Sequence, residues 1–275
     1  MNRALKVWMA LAILALAAQR AWAIEFTSTI NSVKVRVRPG EMVTRKFELH
    51  LAGGQQAARF HSHVEDWWQS EDGKQSFYRP PGTLAHSCGN WITLDPVETT
   101  VEPGGVLEVR ITAAIPRQVA PGGYWCVLTV DELPDPLADQ SAIDMRFVAS
   151  VSTGIFLYVE PVVRDLRVAA VELSARQARI TLRNMGNAPV AFAGRIEVLS
   201  AGGGKPVATA NIPRLTVLTE PIASRVVTVA LPDLGALPAG RYLTQIVLDI
   251  GLDHDIGVRK ELVLPDDLKR TPDGR

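Results

Sequence analysis

The residues whose types and spacing could perform chemistry lie in the first half of the chain. His61 and His63 are two positions apart on a predicted strand, so their side chains share one face, and Glu65 continues that face. His86 and Cys88 follow further along the sequence. Imidazole, carboxylate and thiolate groups are the ligands that zinc and copper prefer. A metal-binding protein that uses His61 and His63 is therefore one hypothesis, and a solvated polar face on an edge strand is the alternative.

No other stretch has the spacing of a known catalytic site. Serine and histidine residues occur, but none lies in a G-x-S-x-G elbow, and no glycine-rich loop precedes a helix to hold a nucleotide. A metal site would also need ligands that converge from elsewhere in the chain. We therefore predict a protein that is not an enzyme, and we assign it no metal and no cofactor.

The first residues have the pattern of a signal peptide. Arg3 and Lys6 precede an apolar run at 7–18, and Ala21–Ala23 forms an A-x-A cleavage site. The pattern predicts a signal peptide at 1–23 and an exported, periplasmic protein, with a secreted or cell-surface protein as the alternative. No later segment is apolar enough to cross a membrane.

The charge balance argues against nucleic acid as a partner. The whole chain has 29 basic and 29 acidic residues, and the charged residues of the predicted signal peptide are all basic. The exported part is therefore mildly acidic, and a mildly acidic protein has no electrostatic reason to bind nucleic acid.

The chain has two cysteines, and an exported protein is expected to pair them. Cys88 precedes the strand that starts near Trp91, and Cys126 lies inside a later strand. A Cys88–Cys126 disulfide would therefore join a loop to a late strand rather than join two sheets. Two free thiols are the alternative.

Hydrophobic residues after the signal peptide recur with a period of two. Val33, Val35 and Val37 alternate with Lys34 and Arg36, and the segment 106–115 alternates in the same way. This pattern is typical of half-buried antiparallel strands. No segment has a convincing helical stripe, so the sequence predicts an all-β fold.

The length fits two immunoglobulin-like β-sandwiches in series better than one. We expect an N-terminal domain at 24–160, a C-terminal domain at 161–265 and a disordered charged tail at 266–275. Similar turns open a strand near the end of each half: Pro121–Tyr124 in the first and Pro238–Tyr242 in the second.

Two segments are candidates for binding another protein. Trp67 and Trp68 are adjacent on a strand, so one should face outward beside Tyr78 as a binding anchor. A tryptophan covered by the loop at 69–87 is the alternative. The second segment is the long strand at 145–159, whose open edge could pair with a client strand. The alternative is a strand that is paired within its own sandwich.

The long strand ends in Gly154–Pro161 and leads directly into a second sandwich, and in this it resembles the periplasmic pilus chaperone (PapD-like) superfamily. The resemblance implies two immunoglobulin-like domains in an L shape and a strand lent to an unfinished pilus subunit. It also implies a basic residue near the first strand and a lysine in the long strand, which hold the C-terminal carboxylate of the client. Lys34 and Arg36 are candidates for the first position, and the long strand has no lysine but has Arg146 near its beginning.

The segment Trp91–Val130 also resembles the first domain of bacterial surface-protein interacting modules, which implies binding without catalysis. We therefore predict a periplasmic chaperone-like protein that binds an exported or pilus-type subunit by strand pairing. The alternatives are a non-catalytic envelope adaptor module and a metal-binding protein. The predicted client-binding residues are Lys34, Arg36, Trp67, Trp68, Tyr78, Arg146, Val151, Ile155 and Leu157.

Overall fold

A computed structural model describes residues 25–28, 32–52, 56–134, 149–174, 176–200, 202, 204–231, 234 and 237–264. The predicted signal peptide at 1–23, the tail at 266–275 and Arg146 lie outside the described residues. In the described part of the chain, the regular structure consists of strands and one short 3₁₀ turn at Gly89–Trp91. The predicted all-β fold with two sandwiches is confirmed.

The first sandwich consists of two sheets. Its strands are β1 (Glu25–Ser28), β2 (Ser32–Val37), β3 (Met42–Ala52), β4 (Ala58–Gln69), β5 (Gln75–Tyr78), β6 (Ile92–Asp95), β7 (Glu98–Val101), β8 (Val106–Ala114), β9 (Gly122–Leu133) and β10 (Ser150–Val159). One sheet has the order β1-β3-β8-β6, and the other has the order β2-β10-β9-β4-β5 with β7 beside β4.

The predicted period-two alternation places the apolar residues of these strands between the two sheets. On β2, Val33, Val35 and Val37 are buried in the core, while Lys34 and Arg36 are exposed on the opposite face. β2 runs parallel to β10, with Ser32 opposite Gly154 and Val37 opposite Val159. The two strands therefore end side by side at the junction with the second sandwich.

The second sandwich also has two sheets. Its strands are β11 (Leu166–Leu173), β12 (Gln177–Asn184), β13 (Val190–Ser200), β14 (Pro206–Val217), β15 (Ser224–Ala230), β16 (Gly240–Asp249) and β17 (Ile256–Leu264). The sheet orders are β11-β12-β15 and β14-β13-β16-β17, and a separate apolar core lies between the sheets.

The similar turns of the two halves form the same local structure. The hydroxyl of Tyr124 donates to the carbonyl of Ala120 at 3.0 Å, and that of Tyr242 donates to the carbonyl of Pro238 at 2.8 Å. A tyrosine that hydrogen-bonds to backbone a few residues upstream is the tyrosine corner of immunoglobulin-like domains. Both sandwiches therefore anchor a late strand in the same way.

The loop between β5 and β6 is fixed at two points. The predicted disulfide between Cys88 and Cys126 is present, with 5.4 Å between the two Cα atoms, and it joins the loop to β9. The second point is the carboxylate of Asp66 on β4, which is 1% exposed. It accepts hydrogen bonds from the backbone N–H groups of Gly82, Thr83 and Leu84 and from the hydroxyls of Thr83 and Ser87.

A basic cleft between the two sandwiches

An apolar cluster joins the two sandwiches. Trp67 lies edge-on to Phe156 with 6.0 Å between ring centroids, and the indole N–H of Trp125 donates to the carbonyl of Trp67 at 3.1 Å. Ala188 and Leu218 of the second sandwich complete the cluster. The outer face of the β9–β10 sheet is therefore covered by the second sandwich at this end.

Backbone hydrogen bonds reinforce this contact through Asn187. Its carbonyl accepts from the N–H of Gly123 at 2.8 Å, and its side-chain oxygen accepts from the N–H of Val163 at 2.7 Å. Gly123 lies so close to Ala188 and Pro189 that a β-carbon at this position would overlap both residues. The glycine is required here because two backbones approach each other closely.

A cleft opens beside this contact, and its walls are strongly basic. It has a volume of about 230 Å³, and its lining includes the phenol of Tyr158 and four basic side chains: Lys34, Arg36, Arg164 and Arg214. A neighbouring cavity of about 260 Å³ shares Arg36, Tyr158 and Arg164 with it. β2 supplies Lys34 and Arg36, the connection before β11 supplies Arg164, and β14 supplies Arg214.

Few of these positive charges are neutralised within the chain. Arg36 is 3.6 Å from the carboxylate of Glu160. Among the described residues, no carboxylate lies within ion-pair distance of Lys34, Arg164 or Arg214. Lys34 lies 5.8 Å from the ring centroid of Phe156. The cleft thus has an excess of positive charge in a partly enclosed space.

Tyr158 adds a neutral hydrogen-bonding group to the cleft. Burial raises the pKa of its phenol, and the nearby Arg164 opposes this increase only in part. The phenol therefore keeps its proton at neutral pH and can donate a hydrogen bond to an anion. Guanidinium, ammonium and phenol donors together form a suitable environment for a carboxylate.

The residues of the long strand that were predicted to bind a client do not form an exposed surface in the structure. Ile155 and Leu157 are each 1% exposed and fill the core of the first sandwich, and Val151 packs against the same core. Their side chains are therefore not available to a client. From Gly154 to Val159, β10 is paired with β9 on one side and β2 on the other, which corrects the expectation of an open edge there.

The remainder of β10 is paired less completely. Ser150–Thr153 pair with β9, and no described residue pairs with their other side. β2 likewise has β10 as its only partner strand among the residues that are described. On the side of the sheet away from β5, the open edge therefore consists of β2 and, beyond it, the first residues of β10.

The predicted tryptophan anchor is also corrected. Trp67 is 7% exposed within the apolar cluster, and Trp68 is half-buried with its ring centroid 6.5 Å from that of Trp125. Neither indole is an outward anchor, because the second sandwich covers the face on which one was expected to be exposed. Tyr78 is exposed on β5 beside Phe77.

His61 and His63 do share one face, with 5.5 Å between their ring centroids. Nε2 of His63 contacts the guanidinium of Arg79, which also binds Glu65. Burial, followed by the charge of Arg79, lowers the pKa of His63. Among the described residues, no group of three or more histidine, cysteine, aspartate or glutamate side chains is arranged to hold a metal. The cluster is a network of ion pairs and hydrogen bonds.

Of the residues predicted from the sequence, Lys34 and Arg36 line the cleft; Arg164 and Arg214 line it too and were not predicted. These two residues reach the cleft only because the second sandwich folds back against the first, and neither has a periodic signal in the sequence.

In the described part of the chain, no helix is long and apolar enough to span a membrane.

Comparisons with known proteins find similarity at the level of structure only. No family model matches the chain, and no curated protein sequence matches it. The class 5 fimbriae chaperone CfaA is similar at 11% identity, with a TM-score of 0.48, over 88% of this chain and 100% of that chain.

Two further solved structures are similar to the chain. The Pseudomonas aeruginosa CupB2 chaperone is 13% identical, with a TM-score of 0.40, over 87% of this chain and 100% of that chain. A Salmonella enterica complex of SafA pilin with the SafB chaperone contains a chain that is 14% identical, with a TM-score of 0.42, over 90% of this chain and 99% of that chain. The likeness to PapD-like chaperones that the sequence predicts is a likeness in fold.

Proposed function

We propose that this chain is a periplasmic chaperone-like protein that binds an exported or pilus-type subunit by strand pairing and holds the terminal carboxylate of that subunit in the basic cleft. The observation that carries the proposal is the cleft itself. Four basic side chains line it, and among the described residues Glu160 is the one carboxylate that forms an ion pair with any of them.

The cleft suits a carboxylate at the end of a chain. Arginine presents a planar fork of donors that matches a carboxylate, and lysine adds a compact charge. Arg164 is half-buried, which reduces the screening of its charge by water. A C-terminal carboxylate is the anion that every unfinished protein subunit carries, and it can enter a narrow cleft because no residue follows it.

The open sheet edge leads to this cleft. β2 and β10 run in parallel, and both end beside Arg36 and Tyr158. A client strand that pairs with β2 and runs parallel to it would reach the cleft with its C-terminal end. Backbone hydrogen bonds would then supply affinity, and the cleft would fix the register of the client strand.

Recovery of a client from cells tests the proposal. The chain is co-expressed with the exported proteins encoded beside it, and proteins that co-purify are quantified for the wild type and for a triple variant, Lys34→Gln, Arg36→Gln and Arg214→Gln. We expect the recovery of the client to fall at least about tenfold, since the loss of one charge-assisted hydrogen bond costs about that factor.

A matched variant controls for the change in net charge. Arg45→Gln, Arg241→Gln and Arg259→Gln remove the same number of positive charges from strands away from the cleft. This variant should recover the client as the wild type does. Equal recovery with both triple variants would contradict the proposed role of the cleft.

An envelope adaptor module is the second candidate, and one observation favours it. Phe77 and Tyr78 are 45% and 43% exposed on β5, which is an edge strand of its sheet. Exposed aromatic residues at a sheet edge are typical anchors for a folded partner. If Phe77→Ser and Tyr78→Ser abolish the recovery of a partner while the cleft variant does not, the adaptor function replaces the chaperone function.

A further inference from the structure

We propose a second anion-binding site, at which Arg225 binds a small oxyanion or carboxylate in the cavity between the β4–β5 turn and strand β15. This site is separate from the basic cleft and does not depend on the proposed function. Its cavity has a volume of about 650 Å³, and its lining includes Asp72, Arg179, Leu215, Arg225 and Thr228.

The cavity lies where the first sandwich contacts an open sheet edge of the second. β15 pairs with β12 only among the described strands, and the turn between β4 and β5 approaches its free side. The N–H of Val226 donates to the carbonyl of Glu71 at 2.7 Å. The turn is therefore held against β15 by a backbone hydrogen bond, and the cavity has a defined wall on each side.

Arg225 is the unusual residue of this wall. It is 8% exposed and shares the inward face of β15 with Val227 and Val229, where the alternation would place an apolar residue. Nε and Nη1 of its guanidinium are buried and have no hydrogen-bond partner among the described residues. Gly73 packs directly against the guanidinium, so a side chain at position 73 would overlap it.

A buried guanidinium without a partner is energetically unfavourable, and a carboxylate normally compensates it. Asp72 is the nearest candidate, but its Oδ1 accepts from the hydroxyl of Ser70 and from the N–H of Lys74 at 3.3 Å. It forms no ion pair with Arg225 in the described part of the chain. Burial lowers the pKa of Arg225, and Asp72 opposes this decrease from a distance.

An anion from outside the chain would satisfy the buried guanidinium of Arg225, and the exposed guanidinium of Arg179 would assist it. Glu71 and Asp72 also line the cavity, and their negative charges limit the affinity. These residues predict weak binding of a small anion rather than tight binding of a large one. The anion is either a free oxyanion or a carboxylate of a protein client, and both would bind the same donors.

Nuclear magnetic resonance with sulfate as the probe tests this site. ¹⁵N-labelled protein that carries the triple cleft variant is titrated with sodium sulfate, and sodium chloride at equal ionic strength is the reference. This background removes the basic cleft, so the result does not depend on the proposed function. We expect saturable shifts of the amide signals of Glu71, Gly73 and Val226.

Three substitutions, two at Arg225 and one at Asp72, make the titration a sharper test. Arg225→Met should weaken sulfate binding at least about tenfold, because it removes the charged donors. It should leave the protein folded, because methionine fills similar space without an unpaired charge. Arg225→Lys, which retains the positive charge, is titrated as the second variant at this position. Asp72→Asn should tighten binding, because it removes the nearest negative charge.

Each result either supports or overturns the inference. Absence of saturable shifts at these amides, or equal shifts with Arg225→Met, would overturn it. Weaker binding with Asp72→Asn would show that Asp72 organises the site instead of opposing the anion, and would also overturn it. The same titration with sodium acetate, which presents a carboxylate, distinguishes the two classes of anion: tighter binding of acetate than of sulfate would identify a carboxylate, and the reverse would identify a free oxyanion.

Discussion

Asp66 in the first sandwich and the basic cleft between the two sandwiches are two charged regions of the chain, and they differ in how their charges are neutralised. The carboxylate of Asp66 is buried and accepts five hydrogen bonds from the loop that it fixes. The four basic side chains of the cleft share one ion pair among the described residues, with Glu160.

This difference distinguishes a charge that stabilises the fold from charges that are available to bind a ligand. A buried charge that is fully satisfied by its own chain contributes to stability, and its removal leaves unpaired donors. A group of like charges without partners contributes nothing to folding and is available for a ligand. The following predictions test this distinction, in order of the expected change in stability.

The largest effect is expected for Asp66→Asn. The amide would turn an N–H₂ group toward donors that now bind a carboxylate oxygen, so the free energy of unfolding should fall by at least about 3 kcal/mol. Urea denaturation measures this loss. Asp95→Asn, which removes an exposed ion pair with Arg110, is the matched control and should cost less than about 1 kcal/mol.

Asp66 also makes stability depend on pH at the acidic end. Burial raises its pKa, but hydrogen bonds from Ser87 and from the backbone of Gly82, Leu84 and Thr83 outweigh burial and hold the pKa below its ordinary value. The folded state therefore binds the proton less readily than the unfolded state. Its contribution to stability is present above the unfolded pKa and is lost as the pH falls through the folded pKa. Asp66→Asn should remove this part of the acid transition.

A smaller effect is expected for Gly123→Ala at the contact between the sandwiches. The added β-carbon would overlap Ala188 and Pro189, so the backbones must separate, at a cost of about 1–3 kcal/mol. Gly257→Ala is the control, because nothing lies within 4 Å of a β-carbon at that position. An equal loss of stability in both variants would show that the contact between the sandwiches is not tightly packed.

A still smaller, pH-dependent effect is expected for His63, whose network is only partly satisfied. Burial and Arg79 lower its pKa below 6.5, so the unfolded chain binds the proton first as the pH falls. His63 should therefore favour the folded state at neutral pH and lose this contribution below about pH 6.5. His63→Gln should flatten the slope of stability against pH in this range, and urea denaturation at a series of pH values measures it.

The smallest change in stability is expected in the basic cleft. Lys34→Gln and Arg214→Gln should each change the free energy of unfolding by less than about 0.5 kcal/mol, because neither side chain has a carboxylate partner among the described residues. A loss as large as that of Gly123→Ala would mean that the cleft stabilises the fold, and the distinction between the two regions would fail.

The sequence predicted the fold well because the fold follows from local patterns. The alternation of Val33, Val35 and Val37 gave the two faces of β2, and the turns at Pro121 and Pro238 gave the start of two late strands. The Cys88–Cys126 pairing followed from the expected oxidising compartment. The alternation and the turns depend on residues that are near one another in the sequence, whereas the disulfide joins residues 38 positions apart and was predicted because the chain has two cysteines.

The site was predicted only in part, because it forms where two sandwiches meet. Arg164 and Arg214 come from elements that no pattern relates to β2, and Trp67 is buried by residues of the other sandwich. Ile155 and Leu157 were expected to bind a client, but their period-two alternation marks core positions equally well. Arg225 did leave a signal, since it occupies an apolar position in the alternation with Val227 and Val229.

The most direct test of the carboxylate-binding cleft uses the C-terminal segment of a client recovered by co-expression, synthesised as a free acid and as an amide. Isothermal titration calorimetry compares their affinities for the wild type and for Arg214→Gln. The free acid should bind at least about tenfold more tightly than the amide, and Arg214→Gln should reduce this ratio. Equal affinities of the acid and the amide for the wild type would contradict the account.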